Sequence, residues 1–406
     1  MAIIYQDALE YHRGNIHTGG TDRPGKIGIH CTKPTDTRQD LGLAYTPGVA
    51  LPCLKIQEDV RNTYQYTARG NTVAVISNGT AVLGLGNLGA AASGPVMEGK
   101  CVLFKKFADI DAIPILIDET DPVKFVSIVK SLQYSFGGIN LEDIKAPECF
   151  AIEDALKKIL DIPVFHDDQH GTAIVVTAGM INALDLAKKR LQDVKIVVNG
   201  AGSAGIACIE LLKSIGVTNI ILCDTQGVVS KDRTTNMNPW KTRHAVTTSD
   251  KTLQDALHNA DVFLGVSAKN ILSANMIKQM APNPIIFALA NPDPEVLPHI
   301  AHQARDDILI ATGRSDFPNQ VNNVLCFPYL FRGALDARVV EITDNMKIAA
   351  AKAIASVARL RVSQEVCDIY GNDLVYGKNY FIPTPFDSRL RDVVPKAIID
   401  ASIQKH

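Results

Sequence analysis

From about residue 73 the chain alternates short β-branched runs with longer stretches whose apolar residues recur every three or four positions. That alternation is the pattern of βα units around a mainly parallel sheet. The runs that read as strands are VAVIS at 73–77, IPILI at 113–117, KIVVN at 195–199, NIILC at 219–223, VFLGV at 262–266, PIIFALA at 284–290 and ILIAT at 308–312. They fall into two groups that part near residue 165, which predicts an α/β protein of two domains. Between the groups, Pro147 opens a helical pattern, PECFAIEDALKKIL, followed by the short strand IPVF and the polar knot HDDQHG, expected as the interdomain hinge. A helical pattern from Thr172 to Lys189 leads into the second group, and GTDRPGK at 20–26 reads as an early loop.

The most readable motif opens that second group. In KIVVNGAGSAGIACIELL an apolar strand runs into Gly200, Gly202 and Gly205 in GxGxxG spacing and then into a helix. The first glycine permits a tight turn, the second lets backbone amides approach a pyrophosphate, and the third allows close helix packing. With Ser203 and Ala204, these residues are the candidate cofactor loop. A second strand then delivers Asp224 about 20 residues beyond Gly205, where a ribose 2′-hydroxyl is held. An acid there repels a 2′-phosphate and favours NAD over NADP, although Lys231 and Arg233 downstream leave the opposite preference open. A second match, GLGNLG at 84–89, leads into AAASGPVMEGK, whose Gly and Pro are expected to break a helix, so it reads as a turn of the first domain.

Composition narrows the class. Hydrophobic residues make up 46% of the 406-residue chain and charged residues 21%, within the globular range. A formal charge of −2 argues against a chain built to neutralise nucleic acid or to hold an anionic membrane. The cysteines, at 31, 53, 101, 149, 208, 223, 326 and 367, form no CxxC pair and read as reduced thiols. The start, MAIIYQDALEYHR, carries Asp7, Glu10 and Arg13 where a signal peptide needs an apolar run. No run approaches about 18 uninterrupted apolar residues, and mean hydropathy is +0.07. A cytoplasmic protein with neither membrane nor nucleic-acid partners is expected.

Acidic residues occur as adjacent pairs at Glu142–Asp143 and Asp167–Asp168. All-oxygen clusters suit a hard cation such as Mg²⁺ or Mn²⁺, while the competing reading is two solvated or helix-capping pairs. His166 and His170 flank the second pair at helical spacing, but Gly171 and the DDQH composition argue against a helix there, and with it against a zinc site.

The order YTPGVA (45–50), GLGNLGAAASGPVMEGK (84–100), NLEDIKAPECF (140–150), FHDDQHGTA (165–173), NGAGSAG (199–205), FALANP (287–292) and ATGRSDFPNQVNNVLCFP (311–328) resembles malic enzyme in its short bacterial-type form, across nearly the whole chain. The resemblance implies oxidation and decarboxylation of L-malate to pyruvate and CO₂ with NAD or NADP and Mg²⁺ or Mn²⁺, in a homo-oligomer, a dimer being expected. It makes Glu142, Asp143 and Asp168 the metal ligands, Tyr45 the catalytic acid, Lys100 the catalytic base and Asp167 the lysine's neighbour. Asn291 and Asn323 match asparagines that contact malate and cofactor, with Asn322 beside them. The domains implied are 1–165 for substrate and metal and 166–344 for a Rossmann-type NAD(P) unit, with helices of about 345–406 packing back on the first. The family usually has an acid where this chain has Asn87, a change expected to tune the site without removing metal binding. Malolactic conversion of malate to lactate with retained NAD, or a catalytically silent dinucleotide-binding regulator, are the alternatives.

Overall fold

Parallel pairing organises both halves of the chain. The computed structural model describes residues 2–14 and 23–403, so the early loop at 20–26 lies partly outside the described residues. The first sheet has the order β2 (Asp111–Leu116), β1 (Thr72–Ser77), β3 (Gly138–Leu141) and β4 (Val164–His166), all parallel. The second runs β10 (Leu309–Thr312), β9 (Ile285–Ala288), β8 (Val262–Gly265), β5 (Lys195–Asn199), β6 (Asn219–Asp224) and β7 (Gly227–Val228). Only β7 is antiparallel there. Strand order reverses between β5 and β8, the switch point at whose carboxyl end open α/β sheets bind nucleotides. Burial is continuous along β1, β3, β8 and β9, as expected of strands covered on both faces. β3 and β7 gave no run long enough to read from sequence.

The helices used below are α1 (Arg38–Ala44), α2 (Ala50–Glu58), α3 (Ala90–Ala108), α4 (Glu148–Ile159), α5 (Thr172–Ala187), α6 (Ser203–Ser214), α7 (Phe327–Asp336), α8 (Asp344–Ala358) and α9 (Leu390–Ile403). Two expectations need correction. AAASGPVMEGK does not break a helix: α3 runs straight through Pro95. An interior proline costs about 3 kcal/mol, but α3 buries Met97, Cys101, Phe104 and Ala108 on one face, and each large side chain returns about 1.5–3 kcal/mol. Nor does the knot HDDQHG resist helix formation. Asp167–Gly171 forms a π-helical turn that runs into α5, with Asp167, Gln169 and Gly171 buried. Gly171 is required there, because a Cβ would collide with the Asp167 carboxylate.

Nearly every face of α5 is buried, against α6, α8 and β9. The run Asp167–Ala187 is long and apolar enough to cross a membrane, and 67% of its most apolar window is buried inside the protein. α7 closes on the first sheet through Phe327 and Phe331 against Phe104 and Phe165. α9 crosses α7 at Gly333, where a Cβ would meet Ile398 at 2.7 Å, and Phe386 reaches Phe107 on α3. The cysteines are all free, Cys31 and Cys53 exposed and the rest buried.

One buried amide ties these layers together. Asn182 on α5 donates to the carbonyls of Ala355 and Phe381, both at 2.8 Å, and accepts from Arg359 at 2.7 Å. Asn182→Ala strands two buried carbonyls and should cost about 2 kcal/mol. Urea unfolding should read this as a lower midpoint with an unchanged slope.

Candidate active site

Strand register brings the acidic pairs together. Parallel pairing sets Leu141 of β3 opposite His166 of β4, so Glu142 and Asp143 leave one strand beside Asp167 and Asp168 leaving the next. Asp143 sits at φ +54°, and its N–H donates to Asp168 Oδ2 at 2.8 Å. Ligand atoms of Glu142, Asp143 and Asp168 all lie within 4.8 Å of one another. Lys100, carried in from α3, places its Nζ 2.6 Å from Asp167 Oδ2 and 2.8 Å from Glu142 Oε1, with the Phe327 ring 4.1 Å from the ammonium.

Three buried carboxylates and the partly exposed Asp168 therefore crowd around one ammonium, and the titration directions follow. Burial opposes the lysine's charge, but Asp167 and Glu142 outweigh it and hold the pKa above its ordinary value. Burial pushes Glu142 well up despite Lys100, and pushes Asp143 up to about 7 with Asp168 adding to the shift. Asp143 Oδ2 and Asp167 Oδ1 are buried with no hydrogen-bond partner. Crowded carboxylates with orphaned oxygens are the donor set of a hard divalent cation, so these residues fit Mg²⁺ or Mn²⁺. Neither histidine belongs to the cluster.

Glu153, which the sequence did not single out, clamps the wide turn from behind. Its Oε1 accepts the His166 N–H at 3.1 Å and pairs with Lys157 at 2.8 Å, while Oε2 lies 2.9 Å from His170 Nε2. Burial opposes the carboxylate's charge, but His170 and Lys157 hold its pKa well below the usual range. Burial lowers His170 to about 4 against the pull of Glu153. Asn140 donates to Glu142 Oε2 at 2.9 Å. Lone polar residues inside core patterns leave no periodic or spacing signal, which is why Glu153 and Asn140 were missed.

Asn323 joins the cluster: its Nδ2 donates to Asp167 Oδ2 at 3.0 Å and its Oδ1 accepts from Thr172 at 3.1 Å. Asn322 accepts the Val324 N–H and so caps a turn. Asn291 is exposed just beyond β9, its carbonyl against Gly84 of the first-domain loop. Asn87 is exposed and accepts the Gly89 N–H at 3.2 Å, shaping that loop. Tyr45 lies apart, 74% exposed at the end of α1.

On the second sheet, Gly200 turns at φ +124° and a Cβ on Gly205 would strike the Gly200 carbonyl, while Ser203 and Ala204 form the first turn of α6. A cavity of about 620 Å³ beside this loop is lined by Gly200, Asp224, Thr225, Lys251, Ser267 and Met276, among others. It has the place and size of a dinucleotide's adenosine half. Asp224 is not a free acid there. Arg233 Nη1 and Lys241 Nζ contact its carboxylate at 2.9 and 2.8 Å, and although burial opposes the charge they hold its pKa below the ordinary value.

Residues 24–157 match the family model for the malic enzyme N-terminal domain, and residues 169–370 match that for the malic enzyme NAD-binding domain. The chain belongs to the malic enzyme family. A probable NADP-dependent malic enzyme of Rickettsia prowazekii is 60% identical over 99% of this chain, which spans 52% of that relative's length. A bifunctional malic/malolactic enzyme of Bacillus subtilis is 49% identical over 99% of this chain and 93% of its own. The crystal structure of an NAD-dependent malic enzyme from Thermotoga maritima superposes with a TM-score of 0.87 at 43% identity, covering 98% of this chain and 99% of that one. This chain thus spans about half the length of the Rickettsia malic enzyme and nearly all of the other two.

The clamp makes a prediction. Glu153→Gln keeps size but gives up the charge that holds Lys157 and His170, so the turn carrying Asp168 loses its backing. Titration with Mn²⁺ should show affinity falling by about tenfold or more, with circular dichroism unchanged.

Proposed function

We propose that this malic enzyme family member converts L-malate to pyruvate and CO₂ with reduction of a nicotinamide cofactor, using a divalent cation held by Glu142, Asp143 and Asp168. The observation that carries the reading is the Lys100 ammonium joined to Asp167 and Glu142 beside that carboxylate triad. When bound, the cation supplies Lewis acidity at the substrate's oxygens and the nicotinamide supplies an acceptor for the C2 hydride.

Lys100 takes the proton of the malate C2 hydroxyl as the hydride departs. An ammonium held by two carboxylates cannot do this. The base form requires the charge of Glu142 to be turned away from it, as happens when Glu142 serves as a ligand. Asp167, fixed by Asn323, keeps the amine aimed and receives the returning charge. After CO₂ leaves, C3 of the enol needs a proton, and a tyrosine hydroxyl such as that of Tyr45 is the group suited to give it. The apolar wall of Phe327 over Lys100 limits water at the amine.

The expected NAD preference rested on an unpaired Asp224. With that acid committed to Arg233 and Lys241, the strand end carries two cations against one anion and tolerates a 2′-phosphate, which supports NADP as a cofactor. The Bacillus relative's malolactic function supports a second reading, in which lactate is the product.

A steady-state assay with malate, Mn²⁺ and either NADP or NAD should yield reduced cofactor and pyruvate in equal amounts. Lactate without free reduced cofactor would favour the second reading. Asp168→Ala should lower kcat by a factor of about a thousand or more while NADP binding, measured by calorimetry, persists; full turnover in that variant would contradict the ligand set.

A further inference from the structure

A cavity of about 330 Å³ opens beside the turn that carries Asp168, lined by Gln169 and His170 but by none of Lys100, Glu142, Asp143 or Asp168. Four elements meet around it: α4 through Glu153 and Lys157, the π turn through Gln169, α8 through Lys347, and the short helix Pro239–Arg243 through Trp240 and Arg243. The two halves of the chain close one wall together, since Trp240 stacks on Phe150 of α4 with ring centroids 4.8 Å apart.

The interior of this cavity is short of acceptors. Gln169 is 4% exposed, and its Nε2 is buried with no hydrogen-bond partner. A buried donor left in that state costs about 1–3 kcal/mol. Lys347 is 8% exposed, and among the described residues its ammonium meets only Asp344 Oδ1, at 3.0 Å. Lys157 meets only Glu153 Oε1, at 2.8 Å. An ammonium has three N–H donors, so most of those on the two lysines are unused, and Arg243 adds a guanidinium at the exposed mouth. Apart from Glu153, the acids that line the cavity, Asp154, Glu210, Glu341 and Asp344, are exposed, where water and salt screen them. What the buried part lacks is therefore anionic oxygen.

We propose that this cavity binds a small dianion presenting phosphate or carboxylate oxygens, and that its occupation tightens the metal site. The volume suits a phosphate ester or dicarboxylate of a few carbon atoms. The coupling runs through contacts already described. Glu153 holds the His166 N–H and is itself held by Lys157 and His170, and Gln169 directly follows Asp168 in the turn. An anion that accepts from Gln169, Lys157 and Lys347 joins α4, the turn and α8, and so restricts the backbone that presents Asp168. By linkage, a bound cation tightens the anion by the same factor. The coupling, though not the site, rests on the metal ligands proposed above.

Trp240 is the single tryptophan of the chain, so its emission reports on this cavity. Titrating the metal-free protein with glycerol 3-phosphate or with succinate should give a saturable change for at least one of them, the two arms showing which oxygen geometry the site takes. Lys347→Gln removes a buried ammonium and should weaken that binding by about tenfold or more. Arg243→Gln, at the surface, gives the same reading should Lys347→Gln fail to fold. Saturating anion should raise the affinity for Mn²⁺, measured by calorimetry, about fivefold or more. No saturable change with either probe up to about 10 mM, or binding that both variants leave intact, overturns the site. Equal Mn²⁺ affinity with and without the anion overturns the coupling. Absence of any Mn²⁺ binding would sink the ligand set and the coupling with it, while the emission titration still decides the cavity.

Discussion

Four carboxylates, three of them buried, crowded around one ammonium are the constraint around which this structure is arranged. Glu142, Asp143, Asp167 and Asp168 leave adjacent parallel strands at the same level, and Lys100 answers two of them. Burying like charges together costs several kcal/mol per uncompensated ion, and the upward shifts at Glu142 and Asp143 express that cost. The arrangement persists because surrounding groups over-determine it. Glu153 staples the back of the π turn, Asn323, itself held by Thr172, fixes Asp167, and Gly171 leaves room for the Asp167 carboxylate where a Cβ would collide with it.

The two sheets place this arrangement and the glycine loop at their carboxyl ends. The carboxyl ends of β3 and β4 hold the acidic pairs, and the carboxyl ends of β5 and β6 hold the glycine loop and Asp224. Loop 81–89 and the Asn291 region touch where the halves meet. α5, buried between them, and α7, which reaches Phe104 and Phe165, keep the halves in one packed body. Function and fold share these elements: the turn that carries Asp168 is also the first turn of the central helix.

Much of this was legible in the residues. The strand–glycine–helix–acid order located the glycine turn and the strand-end acid that line a cavity, and the β-branched runs located most strands, because period and spacing are local properties. The acidic pairs were visible as pairs, but nothing local says that they meet; that depends on the pairing of β3 with β4, and β3 is too short and glycine-bearing to stand out. Composition misled at two places. Pro95 and the polar knot both favour irregular backbone, and tertiary burial overrode them. Tyr45 was found through the family motif alone, and its exposure became visible only in three dimensions. Asp224 was read as a strand-end acid with Arg233 as a downstream cation, but its second partner, Lys241, comes from the short helix Pro239–Arg243, whose approach the sequence does not encode in any simple period.

The near-zero net charge of the chain conceals the local excess on which the account turns. If the pocket stores unfavourable negative charge until a cation is bound, stability itself should report it. The direct test is the thermal midpoint of wild type and Asp143→Asn, each with chelator and with excess Mn²⁺. Wild type should gain about 2.7 kcal/mol at a hundredfold excess over Kd, while Asp143→Asn should be more stable than wild type in chelator and should respond little to Mn²⁺. A wild-type midpoint indifferent to Mn²⁺, or an Asp143→Asn variant less stable in chelator, would contradict the claim that this carboxylate cluster is built for a divalent cation.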